Sequence, residues 1–317
     1  NVALVLTGVL GEKLSIASRG VPVGVDPFGM LVTYTLTTVV LSGIGILLIY
    51  AFTNKYILTN PIYYDGANKK NKNDHLKLSL SESVTYLLSS KYLGFISILL
   101  VSYGIASNFI DVAWRGQACT YFSHRSTYCE FMYRFTFWTG ITTIVCSFMT
   151  KGIIRRFGWF TGAIITPSVL LVSGLCFFSF ILFRESLEGI ASLFGTSSLY
   201  MAVVIGAVLN IFSKIAKHSL FDPTKEMAYI PLDQELKVKG KAAVDVIGGR
   251  CGKGSGGFIQ TFLLITTAGN LITTIPYLLG IFIVVILAWM GAVNSLSRLY
   301  TARVKFSEKD PILGSQF

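Results

Sequence analysis

Ser213-Lys214-Ile215-Ala216-Lys217-His218-Ser219-Leu220-Phe221-Asp222-Pro223-Thr224-Lys225-Glu226 opens the longest polar interruption, residues 213–257, in a sequence otherwise built from apolar runs. The interruption holds eight of the 27 Lys and Arg residues, and it closes on a cluster of six glycines, Gly248, Gly249, Gly252, Gly254, Gly256 and Gly257. A hydrophilic stretch this basic, set between spans, predicts the cytoplasmic side of a membrane and an affinity for anionic ligands or lipids.

Within it, Asp222-Pro223 reads as a helix start, with Asp222 placed to cap free amides and Pro223 suited to the first helical position. Gly248-Gly249-Arg250-Cys251-Gly252-Lys253-Gly254-Ser255 suggests a phosphate-binding P-loop only at first sight. The required first glycine falls at Ile247, and Gly254 occupies the Ser/Thr place. Two readings remain. One is a flexible glycine run that offers backbone amides, Arg250 and Lys253 to phosphate ahead of an apolar helix at Phe258. The other is a basic loop on the membrane surface.

Outward from this stretch, hydrophobic residues make up 52% of the chain and charged residues 14%, with a mean hydropathy of +0.62. That balance excludes an ordinary soluble domain and predicts an all-α polytopic membrane protein. The net charge of +11 has no soluble domain on which to bind nucleic acid, so it is read as topology and no nucleic-acid partner is expected. The start, Asn1-Val2-Ala3, has neither an initiator Met nor a charged leader, which predicts a fragment. Cys146 and Cys176 lie in apolar runs as small hydrophobes, whereas Cys119 and Cys129 share a polar loop as a disulfide or as two free thiols.

Apolar windows of about 20 residues mark spans. Val2 to Leu10 reads as the stub of one, and a span follows at about 28–52. Further spans are expected at about 92–114, 131–149, 160–183, 199–216, 258–275 and 277–293, the last two divided by Pro276. Placing alternate loops on one side assigns that side 21 of the 27 Lys and Arg residues, as a cytoplasmic face requires. Residues 68–75, Asn-Lys-Lys-Asn-Lys-Asn-Asp-His, have linker composition. The expected organisation is therefore residues 1–54 as the end of an N-terminal helical bundle and 55–90 as a basic cytoplasmic linker with an amphipathic helix from Ser83. A C-terminal six-helix bundle at 91–303 and a cytoplasmic tail at 304–317 complete it. Six spans after a basic linker match half of a major-facilitator-like transporter, with one or two helices of the other half ahead of it.

The word at 219–233, Ser-Leu-Phe-Asp-Pro-Thr-Lys-Glu-Met-Ala-Tyr-Ile-Pro-Leu-Asp, and that at 239–246, Lys-Gly-Lys-Ala-Ala-Val-Asp-Val, resemble the nucleotide transporter family. These are the ATP/ADP translocases of obligate intracellular bacteria and plastids. The likeness recurs at 155–162, Arg-Arg-Phe-Gly-Trp-Phe-Thr-Gly, and at Tyr103-Gly104-Ile105. The resemblance implies a twelve-span plan, with membrane segments ahead of this chain forming the other half of the cavity. It implies uptake of ATP or other nucleoside triphosphates from a host by ATP/ADP exchange, or by proton-coupled symport, with phosphate as a further partner. The bacterial inner membrane of an intracellular bacterium is the expected site, rather than a plastid envelope.

An ionisable residue inside a span is costly and therefore a functional candidate. Asp111, after Asn108, stands where the family has a functional Glu; a shorter acid either serves transport, as a proton site or against a lysine, or only pairs with Arg115 one turn on. Lys253 matches the family's functional lysine, against the plainer reading of a positive-inside anchor. Lys225 and Glu226 match the family word but are explained as well by a surface ion pair. Asn210, Lys214 and Lys217 sit near the inner end of one span, the first two on one helix face, and either line a phosphate route or, for the lysines, reach toward headgroups. Trp114, Trp138, Trp159 and Trp289 read mostly as an interfacial belt. The sequence contains no catalytic triad, metal spacing or carboxylate pair, so neither an enzyme nor a cofactor is expected. The competing class is a membrane scaffold or receptor whose basic loop binds anionic membrane lipid.

Overall fold

Long apolar runs satisfy their backbone groups internally by coiling, and this chain is helical wherever the computed structural model describes it, at residues 2–18, 20, 26–58, 90–232, 237 and 240–309, apart from short turns. In chain order the helices are α1 (Val2–Ala17), α2 (Pro27–Phe52), α3 (Lys91–Tyr121), α4 (Arg125–Leu182), α5 (Glu188–Leu193), α6 (Ser198–Ala216), α7 (Asp222–Ala228), α8 (Lys241–Thr266) and α9 (Leu271–Lys309). Wide π-helical turns at Thr53–Ile57 and Lys217–Phe221 extend α2 and join α6 to α7. Among the described residues there is no strand, and five helices are long and apolar enough to cross a membrane. The chain is an all-α polytopic membrane protein.

Local chemistry sets the ends. Asp26 caps α2, its carboxylate accepting from the Phe28 and Gly29 amides at 3.0 Å each. Ser197 caps α6 through the Tyr200 amide. Within α4, Gly158 takes φ 80, ψ 176, a region open essentially to glycine alone, and the helix breaks there into segments 125–157 and 159–182. Among the described residues, six long helical segments thus follow residue 90: α3, the two parts of α4, α6, α8 and α9. The expected linker at 55–90 and its helix from Ser83 fall almost wholly outside the described residues.

Several expectations need correction. The glycine cluster is not a flexible loop: it lies inside α8, and Gly248, Gly252 and Gly256, spaced four apart, form the face that meets α3. A Cβ on Gly248 would stand 2.7 Å from Leu100 Cβ, and one on Gly256 3.1 Å from Asn108 Cβ. Without side chains the two backbones close up, an arrangement that suits apolar surroundings where packing and not water expulsion drives helix association. Gly104 on α3 completes the seam, since a Cβ there would lie 2.7 Å from the carbonyl carbon of Gly252. We expect Gly104→Ala to lower the thermal midpoint of the detergent-solubilised protein, as overpacking costs about 1–3 kcal/mol. Gly254→Ala, which meets nothing within 4 Å, should raise it slightly by improving helix propensity.

The last two spans divide not at Pro276, which is accommodated inside α9, but at residues 267–270. There Ala268 and Gly269 take positive φ, the Gly269 amide bonds back to Leu264 O at 2.8 Å, and the Asn270 side chain accepts from the Ile272 amide. Asp222 caps nothing, because the chain is already helical through the π turn before it. That wide turn lies where the Pro223 ring would otherwise crowd the carbonyl four residues back. The tryptophans form no belt: Trp114, Trp159 and Trp289 are buried and only Trp138 is exposed. The Trp114 indole donates to Val203 O and that of Trp159 to Thr224 O.

α1 continues beyond the expected stub and packs on residues 125–157. Gly8 sits against Phe137, Gly140 against Val5, and Glu12 bonds Arg134 at 2.7 Å. α2 buries only Leu31 and turns its apolar side chains outward.

Candidate anion-binding cavity

Tyr103, Ser107 and Asp111 follow one another at four-residue intervals and so project from one face of α3. α6 faces them with Asn210 and Lys214, the π turn after it supplies Lys217, and α8 supplies Lys253 from the residue next to the Gly252 seam. Three adjoining cavities of about 180, 240 and 330 Å³ result, and Tyr103 and Lys253 line all three. The Tyr103 ring is held by stacking on Phe221 at 5.2 Å and by the edge of Trp289 at 6.0 Å. A rigid aromatic wall therefore backs the lysines.

Most charges around the cavities are paired. Arg115 Nε donates to Asp111 Oδ2 at 3.0 Å, while Asp111 Oδ1 is buried without a partner. Asp222 accepts from Lys217 at 3.4 Å and lies 3.2 Å from His218 Nδ1. Lys225 bonds Asp245 at 3.2 Å and contacts Glu226 at 3.3 Å, and Lys241 donates to Glu226 at 2.6 Å. Lys214 and Lys253 have no carboxylate partner among the described residues. Lys214 Nζ instead lies 4.5 Å from the centre of the Phe135 ring, a contact that stabilises a cation without neutralising it. Asn108 Oδ1 and Asn210 Nδ2 are also buried and unsatisfied, which is costly unless a ligand or water meets them.

Of the residues singled out from sequence, Asn108, Asp111, Asn210, Lys214 and Lys253 line the 180 Å³ cavity together. Lys225 lines the adjoining 240 Å³ cavity. Arg250 is exposed and lines none of the three, and Glu226 lies behind Lys225 in the ion-pair chain. Sequence reasoning gave Tyr103 no role, although four-residue spacing from Asp111 and Ser107 was there to read. It also missed that Asp222 faces Lys217. No group of three or more His, Cys, Asp or Glu residues that could hold a metal ion occurs among the described residues. Cys119 and Cys129 are not joined as a disulfide, and burial together with the neighbouring Cys119 pushes the Cys129 thiol pKa up.

The described helices thus form an all-α polytopic membrane protein in which lysines from three elements line adjoining cavities. The TLC ATP/ADP transporter profile matches residues 1–300, and the chain belongs to that family. It is similar to ADP,ATP carrier protein 1 of Chlamydia muridarum (strain MoPn / Nigg), with 41% identity over 98% of this chain and 59% of that protein. It is also similar to ADP,ATP carrier protein 1 of Rickettsia prowazekii (strain Madrid E), with 37% identity over 98% of this chain and 62% of that protein. The chloroplastic ADP,ATP carrier protein 1 of Arabidopsis thaliana shares 38% identity over 93% of this chain and 46% of its own length. The chain thus spans less than two thirds of these relatives. No solved structure matches it.

Proposed function

We propose that the chain forms the C-terminal part of a nucleotide carrier that exchanges ATP for ADP by alternating access, in the inner membrane of an intracellular bacterium. Residues 1–54 would then end one helical bundle and residues 91–303 form a major-facilitator-like second bundle, with the phosphate site between them. One observation carries this reading: Lys214 and Lys253, two cations without carboxylate partners among the described residues, share a cavity with buried polar atoms that lack partners. Phosphate oxygens supply the missing negative charge, and compact ammonium groups bind them without the bidentate grip of arginine, which favours release on the far side.

Proton symport is the other mode considered for such a chain, and its premise is a span-embedded Asp with no permanent cation beside it. Arg115 stands 3.0 Å from Asp111, so exchange is favoured. The test is labelled ATP uptake into liposomes reconstituted with the carrier. Exchange predicts uptake that requires internal ADP and ignores an imposed proton gradient. Uptake into empty vesicles that rises with an inward proton gradient and collapses with an ionophore would establish symport instead. A scaffold or receptor would take up no nucleotide in either case, and only anionic lipid would stabilise it.

A further inference from the structure

The ion pairs around the cavities are turned in opposite senses at the two ends. Near α7 the lysines are the more buried partners: Lys217 and Lys225 side chains are 28% and 15% exposed, against 38% for Asp222 and 41% for Asp245. At the other end the acid is the inner partner, Asp111 at 29% against Arg115 at 50%. The lysine is thus the less exposed partner beside α7, and the acid is the less exposed partner at Asp111. Lys217 and Lys225 line the 240 Å³ cavity together with their partners Asp222 and Asp245, and Lys253, which leaves positive charge in excess there, joins that cavity to the one holding Lys214.

From this polarity we infer that Lys217 and Lys225 form a second phosphate subsite, which receives the outer phosphates of a nucleotide whose first phosphate lies against Lys214 and Lys253. The subsite rests on the nucleotide reading and deepens it: it makes the carrier prefer di- and triphosphates to monophosphates. An ammonium group has three donors, so each lysine can keep its carboxylate bond and still offer donors to a phosphate oxygen. The π turn Lys217–Phe221 is part of the device. Such turns are rare and concentrate at functional sites, and this one carries Lys217 into the cavities. Asp222 and Asp245 line the same cavity and hold the two lysines in place when no ligand is present. They also repel an arriving anion, which keeps the subsite from retaining what it must release.

The experiment is equilibrium binding of AMP, ADP, ATP and inorganic triphosphate to the purified carrier and to Lys217→Gln, Lys225→Gln and Asp245→Asn variants. In the wild type each added phosphate should tighten binding. In either lysine variant the gain from AMP to ATP should shrink roughly tenfold, the worth of one charge-assisted contact, with AMP binding weakened far less than ATP binding. Asp245→Asn breaks the same ion pair as Lys225→Gln but leaves the cation, so it should enlarge the gain. If Asp245→Asn behaves like Lys225→Gln, the pair is only structural and the subsite is refuted. Equal weakening of all four ligands, or no change, refutes it too. A wild type that ignores every nucleotide but binds inorganic triphosphate through Lys217 and Lys225 would overturn the nucleotide reading and leave the subsite standing.

Discussion

Lys253→Gln is expected to reduce ATP uptake by the carrier roughly 10- to 100-fold, the range for loss of a hydrogen bond to a charged group. Lys253 lines all three cavities, so a phosphate held beside Tyr103 lies close to this residue. The side chain is exposed and lies beside the seam with α3 and not in it. Removing its charge should therefore leave membrane insertion and the thermal midpoint intact. Lys253→Arg should recover only part of the activity, because a planar fork presents its donors in a fixed geometry and a compact ammonium does not. Lys214→Gln should also impair uptake but destabilise the protein as well, since Lys214 packs on Phe135 at 4.5 Å. Normal ATP uptake by correctly inserted Lys253→Gln would return this lysine to the role of a membrane-surface anchor.

The reasons why some of this was legible in sequence and some was not are specific. Membrane class and helix number follow from apolar run length, and they survive errors of several residues at each end. The cluster at 248–257 misled because glycine was weighed as a loop former, when its spacing of four at Gly248, Gly252 and Gly256 marks a helix face that touches another backbone. In water such a helix would be weak; in apolar surroundings the unsatisfied backbone of the alternative costs more than glycine's entropy. Pro276 misled in a similar way, because a proline inside an apolar run looks like a boundary while the actual stop uses Gly269 and Asn270. The tryptophans were placed by distance from span ends, which carries no information about which side of a helix faces the bundle. Within the candidate site, residues sharing a helix were readable from spacing: Asn210 with Lys214, and Asn108 close to Asp111. The pairing of Lys225 with Asp245 and the convergence of α3, α6 and α8 on Tyr103 depend on tertiary packing across 20 to 150 residues of sequence, roughly, and no local pattern encodes that.

Asp111→Asn is expected to slow ATP/ADP exchange at least tenfold, by roughly the worth of one charge-assisted contact, whether or not a proton gradient is present. The substitution keeps the size of the side chain but removes the charge that Arg115 Nε meets at 3.0 Å. It leaves a guanidinium without its partner one helical turn from a residue that lines the 180 Å³ cavity, free to compete with Lys214 and Lys253 for phosphate. Substrate held in the wrong place is carried poorly even when it binds well, so the variant should lose turnover more than affinity. Asp111→Glu keeps a carboxylate at this place and should keep most of the exchange, because one added methylene still lets it reach a residue one helical turn away. Arg115→Gln separates the two roles considered for the acid. If the ion pair sets the shape of the cavity, Arg115→Gln and Asp111→Asn should impair exchange alike, and the double variant should be no worse than either single one. Were Asp111 a proton carrier, Asp111→Asn alone would abolish stimulation by an inward proton gradient in vesicles without ADP, and Arg115→Gln would leave that stimulation in place. Flux that depends on internal ADP in all four proteins, with neither variant sensitive to the gradient, assigns Asp111 to cavity geometry and to the orientation of the nucleotide between its negative and positive ends.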